Sequence, residues 1–140
     1  MNSDKKANGI CTMSFVLENS LNTGSTWVQQ QIGKDTFYDY VRKFGFGELS
    51  GIELPGEVSG RVFEPKELND HGYATMSFGQ SISVTPLQML TSFAVIANGG
   101  KMMKPYIVEK ITDNKGKTEK FKPKEVRRVI SEKAAKRRQI

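Results

Sequence analysis

A chain of 140 residues, 37% hydrophobic and 26% charged, carries enough apolar material for one domain with a real core and too much for a disordered segment. Its apolar runs fall short of the roughly eighteen residues that cross a bilayer, and a single cysteine, Cys11, excludes an internal disulfide and a cysteine-based zinc site. The net charge of +6 is uneven: residues 101–140 hold 14 Lys/Arg against 5 Asp/Glu, while residues 1–100 hold 7 against 10.

The opening MNSDKKANG lacks the apolar core of a signal peptide, so any export signal is expected elsewhere. SFVLENS has the apolar residues for two turns of helix, ended by Ser20, and helicity is expected to resume near Ser25 or Thr26 and run to Gly33. Asp35 then caps DTFYDYVRKFG, where Phe37, Tyr38, Val41 and Phe44 share one face and Gly45 ends the element. From Phe46 to Arg61 the glycines at 47, 51, 56 and 60, with Pro55, allow only an irregular loop.

TPLQMLTSFAVIANGG carries the most complete helix signal. Thr85 stands as N-cap, Pro86 at the first helical position and Gln88 at the third; Leu87, Leu90, Ala94 and Ala97 trace an apolar face, and Gly99–Gly100 closes the helix. YIVEKIT, DNKG and KTEKF then predict a hairpin over 106–121, and Ser131 caps a short basic helix, EKAAKRR. The C-terminal basic excess reads as the solvated face of that hairpin and helix. Acidic residues are interspersed and no stacking aromatics interleave the lysines, which argues against a nucleic-acid partner.

Candidate chemistry centres on Ser20 and Asn22. On a helix, residues two apart point to different sides, but a broken backbone at Ser20 lets a hydroxyl and a carboxamide face one cleft. A hydroxyl relays protons, and a carboxamide both donates and accepts hydrogen bonds to a substrate amide. A bare Ser-x-Asn is equally a cap or turn, so the tripeptide alone leaves both readings open. His71, the single histidine, rules out a histidine metal cluster and reads as a loop or surface residue. GQSIS departs from the Gly-x-Ser-x-Gly nucleophile elbow at Ser83, and GKTEK lacks the leading glycine of a phosphate loop.

The segments FVLENSLNTGSTWVQQQIG, FYDYVRKFGFGELSGIELPGEVSG, ATMSFGQSISVTPLQMLTSFAVIANGGKMMKPYIVEKI and VISEKAA together resemble the transpeptidase domain of class B penicillin-binding proteins, in order and spacing, from about Asn8 to Lys136. The resemblance implies an α+β chain: part of the penicillin-binding protein/β-lactamase-like fold, with a helical subdomain and a β-hairpin of the sheet. It places Ser20-Leu21-Asn22 on the family's Ser-x-Asn motif, with Ser20 passing a proton toward the leaving amine and Asn22 holding the substrate amide. It implies no cofactor and no metal. The implied partners are the D-Ala-D-Ala end of peptidoglycan stem peptides, β-lactams, and divisome or elongasome proteins, in a parent enzyme on the outer face of the bacterial cytoplasmic membrane.

Two further family motifs do not match. In the family a Ser-x-x-Lys serine attacks the D-Ala-D-Ala carbonyl and a Lys-Thr-Gly strand binds the substrate carboxylate. Ser3 to Lys6, SDKK, has the first pattern only seventeen residues before Ser20, and Lys117-Thr118 is followed by Glu119 in the predicted hairpin. Residues 1–140 are therefore expected to be a partial transpeptidase domain, lacking the upstream nucleophile and the downstream Lys-Thr-Gly strand. An alternative is a catalytically inactive module that binds stem peptide, β-lactam or a divisome partner.

Overall fold

In the computed structural model, which describes Asn2 and residues 7–136, the chain forms two compact units: one from residues 1–39 with 62–83, the other from 40–61 with 84–140. Ser3 to Lys6, where the SDKK pattern falls, and the RRQI ending lie outside the described residues.

The first unit is helical. Helix α1 (Met13–Glu18) starts where the Thr12 hydroxyl accepts from the Phe15 amide at 3.2 Å, and it buries Val16. Helix α2 (Asn22–Ile32) begins three residues earlier than the sequence suggests. Leu21, its N-cap, gives no side-chain bond; the Asn2 carboxamide oxygen accepts instead from the Thr23 amide (3.1 Å) and hydroxyl (2.9 Å). This cap comes from twenty-one residues upstream, so no local pattern announces it. Helix α3 (Lys34–Lys43) begins one residue before Asp35, which lies in the first turn where a carboxylate favours the helix dipole. A 3₁₀ turn (Pro65–Glu67) and helix α4 (Asp70–Met76) complete the unit; Asn69 caps α4 by accepting from Gly72 N–H at 2.9 Å. Helix α4 and the 3₁₀ turn were not anticipated.

The second unit is built on helix α5 (Pro86–Ala97), which carries the expected capping box. Thr85 accepts from Gln88 N–H at 3.1 Å, and the Gln88 carboxamide oxygen accepts from Thr85 N–H at 2.9 Å. Gln88 is buried and also donates to the carbonyls of Glu48 (2.8 Å) and Ser59 (2.7 Å), pinning both ends of the glycine-rich loop. Strands β3 (Lys101–Met103) and β6 (Glu125–Arg128) pair antiparallel, with an irregularity after Met102. Val95, Met102 and Val129 form the core there, with Phe44 and Ile130 against it. Between those strands, β4 (Lys110–Thr112) and β5 (Thr118–Lys120) make the expected hairpin. Helix α6 (Glu132–Lys136) starts at Ser131, whose hydroxyl accepts from Ala134 N–H at 3.1 Å. Two short strands, β1 (Arg61–Val62) and β2 (Ile82–Ser83), whose residues from Val62 on fall in the first unit, also pair.

Candidate active-site turn and groove

Helix α1 ends in a double turn of hydrogen bonds. The Ser20 amide donates to Leu17 O at 3.2 Å and the Leu21 amide to Val16 O at 2.9 Å, so the chain reverses through Ser20 while Val16 and Leu21, both buried, close over the turn. This is the Schellman arrangement, which needs a left-handed residue at the position Ser20 occupies. Ser20 adopts it, with φ of 49°. Its hydroxyl is exposed and makes no hydrogen bond among the described residues.

The same device ends α3 and α4 at Gly45 (φ 85°) and Gly79 (φ 89°), and α5 keeps its outer bond, Gly100 N–H to Val95 O at 2.7 Å, around the left-handed Gly99 (φ 81°). Glycine bears that conformation without steric cost; a residue with a Cβ pays about 1–2 kcal/mol. The chain therefore spends glycine at three such turns and a strained hydroxyl at the fourth.

Asn22, two residues on, is the first residue of α2 and is partly exposed. It lines a groove of about 420 Å³ between α2 and α4, together with Thr26 and Gln30 from α2 and His71, Thr75 and Phe78 from the α4 side. Ser20 stands in the turn that leads to this groove and is not among its lining residues. Helix α2 packs closely against both of its neighbours. Gly24 on α2 faces Val16 so tightly that a Cβ there would come within 2.5 Å of its methyls, and the Thr26 hydroxyl reaches Ala74 O at 3.5 Å. Thr75 is held by the Ser81 hydroxyl at 2.7 Å and lies 3.0 Å from His71 O. Ser81 is a second non-glycine residue with positive φ, 56°.

At the start of α4, Asp70 pairs with Lys34, whose ammonium lies 5.7 Å from the Tyr73 ring centre. The hydrogen bond and attraction between the two raise the Lys34 pKa and lower that of Asp70. Both groups are exposed, so solvent screens the pair and it contributes little to stability.

The groove wall from α4 is what sequence reasoning missed. His71, expected on a loop or surface, is exposed on that helix and faces the same groove as Asn22. Lys117 and Thr118 lie where the hairpin expectation puts them: Thr118 opens β5 and its hydroxyl meets that of Thr112 at 3.0 Å. Among the described residues, no three His, Cys, Asp or Glu side chains gather to hold a metal ion, and no helix is long and apolar enough to cross a membrane.

The arrangement offers an exposed hydroxyl on a strained turn and a carboxamide at the head of a polar-edged groove. Comparison with known proteins gives the context. Residues 1–139 match the family described as the penicillin binding protein transpeptidase domain. The stage V sporulation protein D of Bacillus subtilis is 35% identical over 130 residues, covering 91% of this chain and 20% of that protein. The penicillin-binding protein PbpB of Mycobacterium tuberculosis is 33% identical, covering 92% of this chain and 19% of its own length. A crystal structure of penicillin binding protein 3 from Mycobacterium tuberculosis, complexed with aztreonam, superposes with a TM-score of 0.83 at 33% identity over 89% of this chain and 28% of that one. Penicillin binding protein 2X from Streptococcus thermophilus gives 0.83 at 32% identity, over 91% and 18%. The chain thus spans about a fifth of the length of these curated relatives.

Proposed function

The chain belongs to the family of penicillin-binding protein transpeptidase domains, and on that premise we propose that it supplies the Ser-x-Asn part of a peptidoglycan D,D-transpeptidase site, with Ser20 as proton relay and Asn22 as substrate clamp. The observation that carries the reading is the strained turn. Strain retained at one position, where glycine would relieve it, belongs with a side chain that is needed. Serine there places a hydroxyl outward on a backbone fixed by two hydrogen bonds.

The division of labour follows from the groups themselves. A serine acyl transfer begins when a nucleophilic hydroxyl loses its proton to a base and attacks the penultimate D-alanine carbonyl; it proceeds when the leaving D-alanine amine gains a proton. Ser20 suits the second proton movement, because an exposed hydroxyl both accepts and donates. Asn22 suits the substrate amide, for which a carboxamide is complementary at both ends. Acyl transfer needs a nucleophile, a base and oxyanion donors within about 3 Å of one another, and two motif residues do not make that set. The nucleophile and the Lys-Thr-Gly strand therefore belong to other parts of the longer enzyme, which acts on stem peptides at the outer face of the cytoplasmic membrane and is blocked by β-lactams.

Fluorescent penicillin tests this directly. The 140-residue chain gives no covalent adduct; in the longer enzyme, Ser20→Ala slows acylation by about 10²- to 10⁴-fold, and Asn22→Ala slows it through lost hold on the substrate amide. A stoichiometric adduct on the chain alone would show that the nucleophile is within it. Unchanged acylation in both variants would remove Ser20 and Asn22 from the site, and reversible, saturable binding without an adduct at any length would identify an inactive binding module.

A further inference from the structure

Helix α4 ends in a turn that closes back on its own last residues. The amides of Phe78 (3.3 Å) and Gln80 (3.0 Å) both donate to Thr75 O, and Gly79 N–H donates to Met76 O at 3.1 Å, so the chain reverses around Phe78. Next in the chain, Ser81 takes the left-handed region that Gly79 also uses, with φ of 56° against 89°. Its hydroxyl thereby returns to 2.7 Å from that of Thr75. Residues 75–81 are thus closed twice, once through the backbone and once through side chains. Thr75 and Phe78 line the groove that Asn22 heads; Ser81 is exposed and does not line it.

Counting protons gives the side-chain bond its direction. The Thr75 hydroxyl lies 3.0 Å from His71 O and 3.1 Å from Gly72 O; carbonyls only accept, so its single proton goes to them. Ser81 is then the donor to Thr75. Thr75 is buried, yet its one proton is already satisfied by its own helix. The serine is therefore not there to rescue a buried donor. It holds a backbone conformation that glycine adopts without steric cost, and what it adds is a second tie across the turn that carries Phe78. Strain kept where glycine would relieve it points to the side chain.

We infer that Ser81 is a positioning residue for the groove: by donating to Thr75 it locks the turn that sets Thr75 and Phe78 against a substrate held at Asn22. This rests on the groove at Asn22 being the substrate's, as proposed above. Ser81 acts through Thr75 and moves no proton of the reaction, so its loss weakens the hold on the substrate and spares the chemical step.

Acylation of the longer enzyme by fluorescent penicillin, followed over a range of concentrations, separates the half-saturating concentration from the maximal rate. Ser81→Ala and Ser81→Gly differ in backbone strain but both lose the hydroxyl; each raises the half-saturating concentration by about three- to tenfold, the size expected for one hydrogen bond, with the maximal rate held. Thr75→Val gives the same rise, Thr75→Val with Ser81→Ala gives no more than either alone, and Thr75→Ser recovers most of the loss. In the 140-residue chain, Ser81→Ala speeds amide exchange at Gln80, whereas Ser83→Ala, two residues on, does not. An unchanged half-saturating concentration in Ser81→Ala, parent behaviour in Ser81→Gly alone, additive losses in the double variant, or a fall in maximal rate equal to the loss of affinity would each overturn the role of Ser81 while leaving the groove reading in place. Asn22→Ala without effect in the same assay would remove the groove, and Ser81 with it.

Discussion

At the scale of single residues, the contrast between Ser20 and the glycines of the other helix ends carries a measurable cost. Ser20→Gly removes about 1–2 kcal/mol of left-handed strain, offset by about 0.4–1 kcal/mol because glycine makes the unfolded chain more flexible. The variant should therefore be more stable by about 0.5–1 kcal/mol, read as a higher urea midpoint at constant slope. Ser20→Ala keeps the Cβ and the strain, so its midpoint should stay near that of the parent chain while the hydroxyl is gone. The two variants separate backbone from chemistry: both remove the hydroxyl proposed above as the relay, and only one gains stability. A Ser20→Gly midpoint below that of the parent would mean that the turn is not strained. Asn22 responds differently. It begins α2 in a position whose helix is capped by Asn2 through Thr23, so removing its carboxamide leaves that cap in place.

At the scale of elements, two contacts decide how the pieces hold together. Alanine exceeds glycine in helix propensity by about 1 kcal/mol, so Gly24→Ala would stabilise an isolated α2. In the fold, the new methyl would lie within 2.5–2.6 Å of both Val16 methyls, on a β-branched side chain with little rotamer freedom. Overpacking of this kind costs about 1–3 kcal/mol and wins, so the variant should unfold at lower urea; adding Val16→Ala should recover part of the loss, a coupling a double-mutant cycle measures. In the glycine-rich loop, Glu57 accepts from the Ser50 amide at 2.6 Å and the Gly51 amide at 3.1 Å, and from the Ser50 hydroxyl, and the hydroxyl bond leads in holding its carboxyl below the usual glutamate range. Because the folded pKa is the lower one, the loop is fully supported above the ordinary glutamate pKa and loses that support as pH falls through the depressed value. Amide exchange at Ser50 and Gly51 should accelerate on acidification, and Glu57→Gln should flatten that dependence. These contacts also explain what could be read beforehand. The α5 capping box, the Ser131 cap and the 106–121 hairpin are written in neighbouring residues and appear as expected. The early start of α2 depends on Asn2, α4 is seven residues with a glycine inside it, and β3 meets β6 across an intervening hairpin, so none leaves a local period to read. Ser20 and Asn22 were legible as a pair of polar groups at a helix break; the His71 and Thr75 wall opposite Asn22 was not, because tertiary packing alone brings α4 to α2.

At the scale of the whole molecule, burial and sequence pattern disagree on α5, and the disagreement has a physical consequence. Leu87, Leu90, Ala94 and Ala97 form the apolar stripe, yet the buried positions of that helix are Gln88, Ser92 and Val95. Leu90 is 68% exposed and Phe93 beside it 64%. Sequence periodicity identifies a face that seeks cover but does not say which partner provides it; within this chain the cover goes to the face that holds the glycine-rich loop through Gln88. An exposed apolar face of that kind drives association of the chain with itself. Sedimentation should show an average mass that climbs with concentration above the 15.7 kDa of one chain. Leu90→Lys with Phe93→Lys should hold the mass at that value with unfolding stability within about 0.5 kcal/mol, since exposed positions tolerate substitution. Salt distinguishes this from association through the basic C-terminal part: sulfate strengthens apolar contact and screens charge, so self-association through α5 should increase with it, whereas association through the lysines should fade. Loss of self-association in high sulfate, or its persistence in the double lysine variant, would shift the contact from α5 to the charged surface.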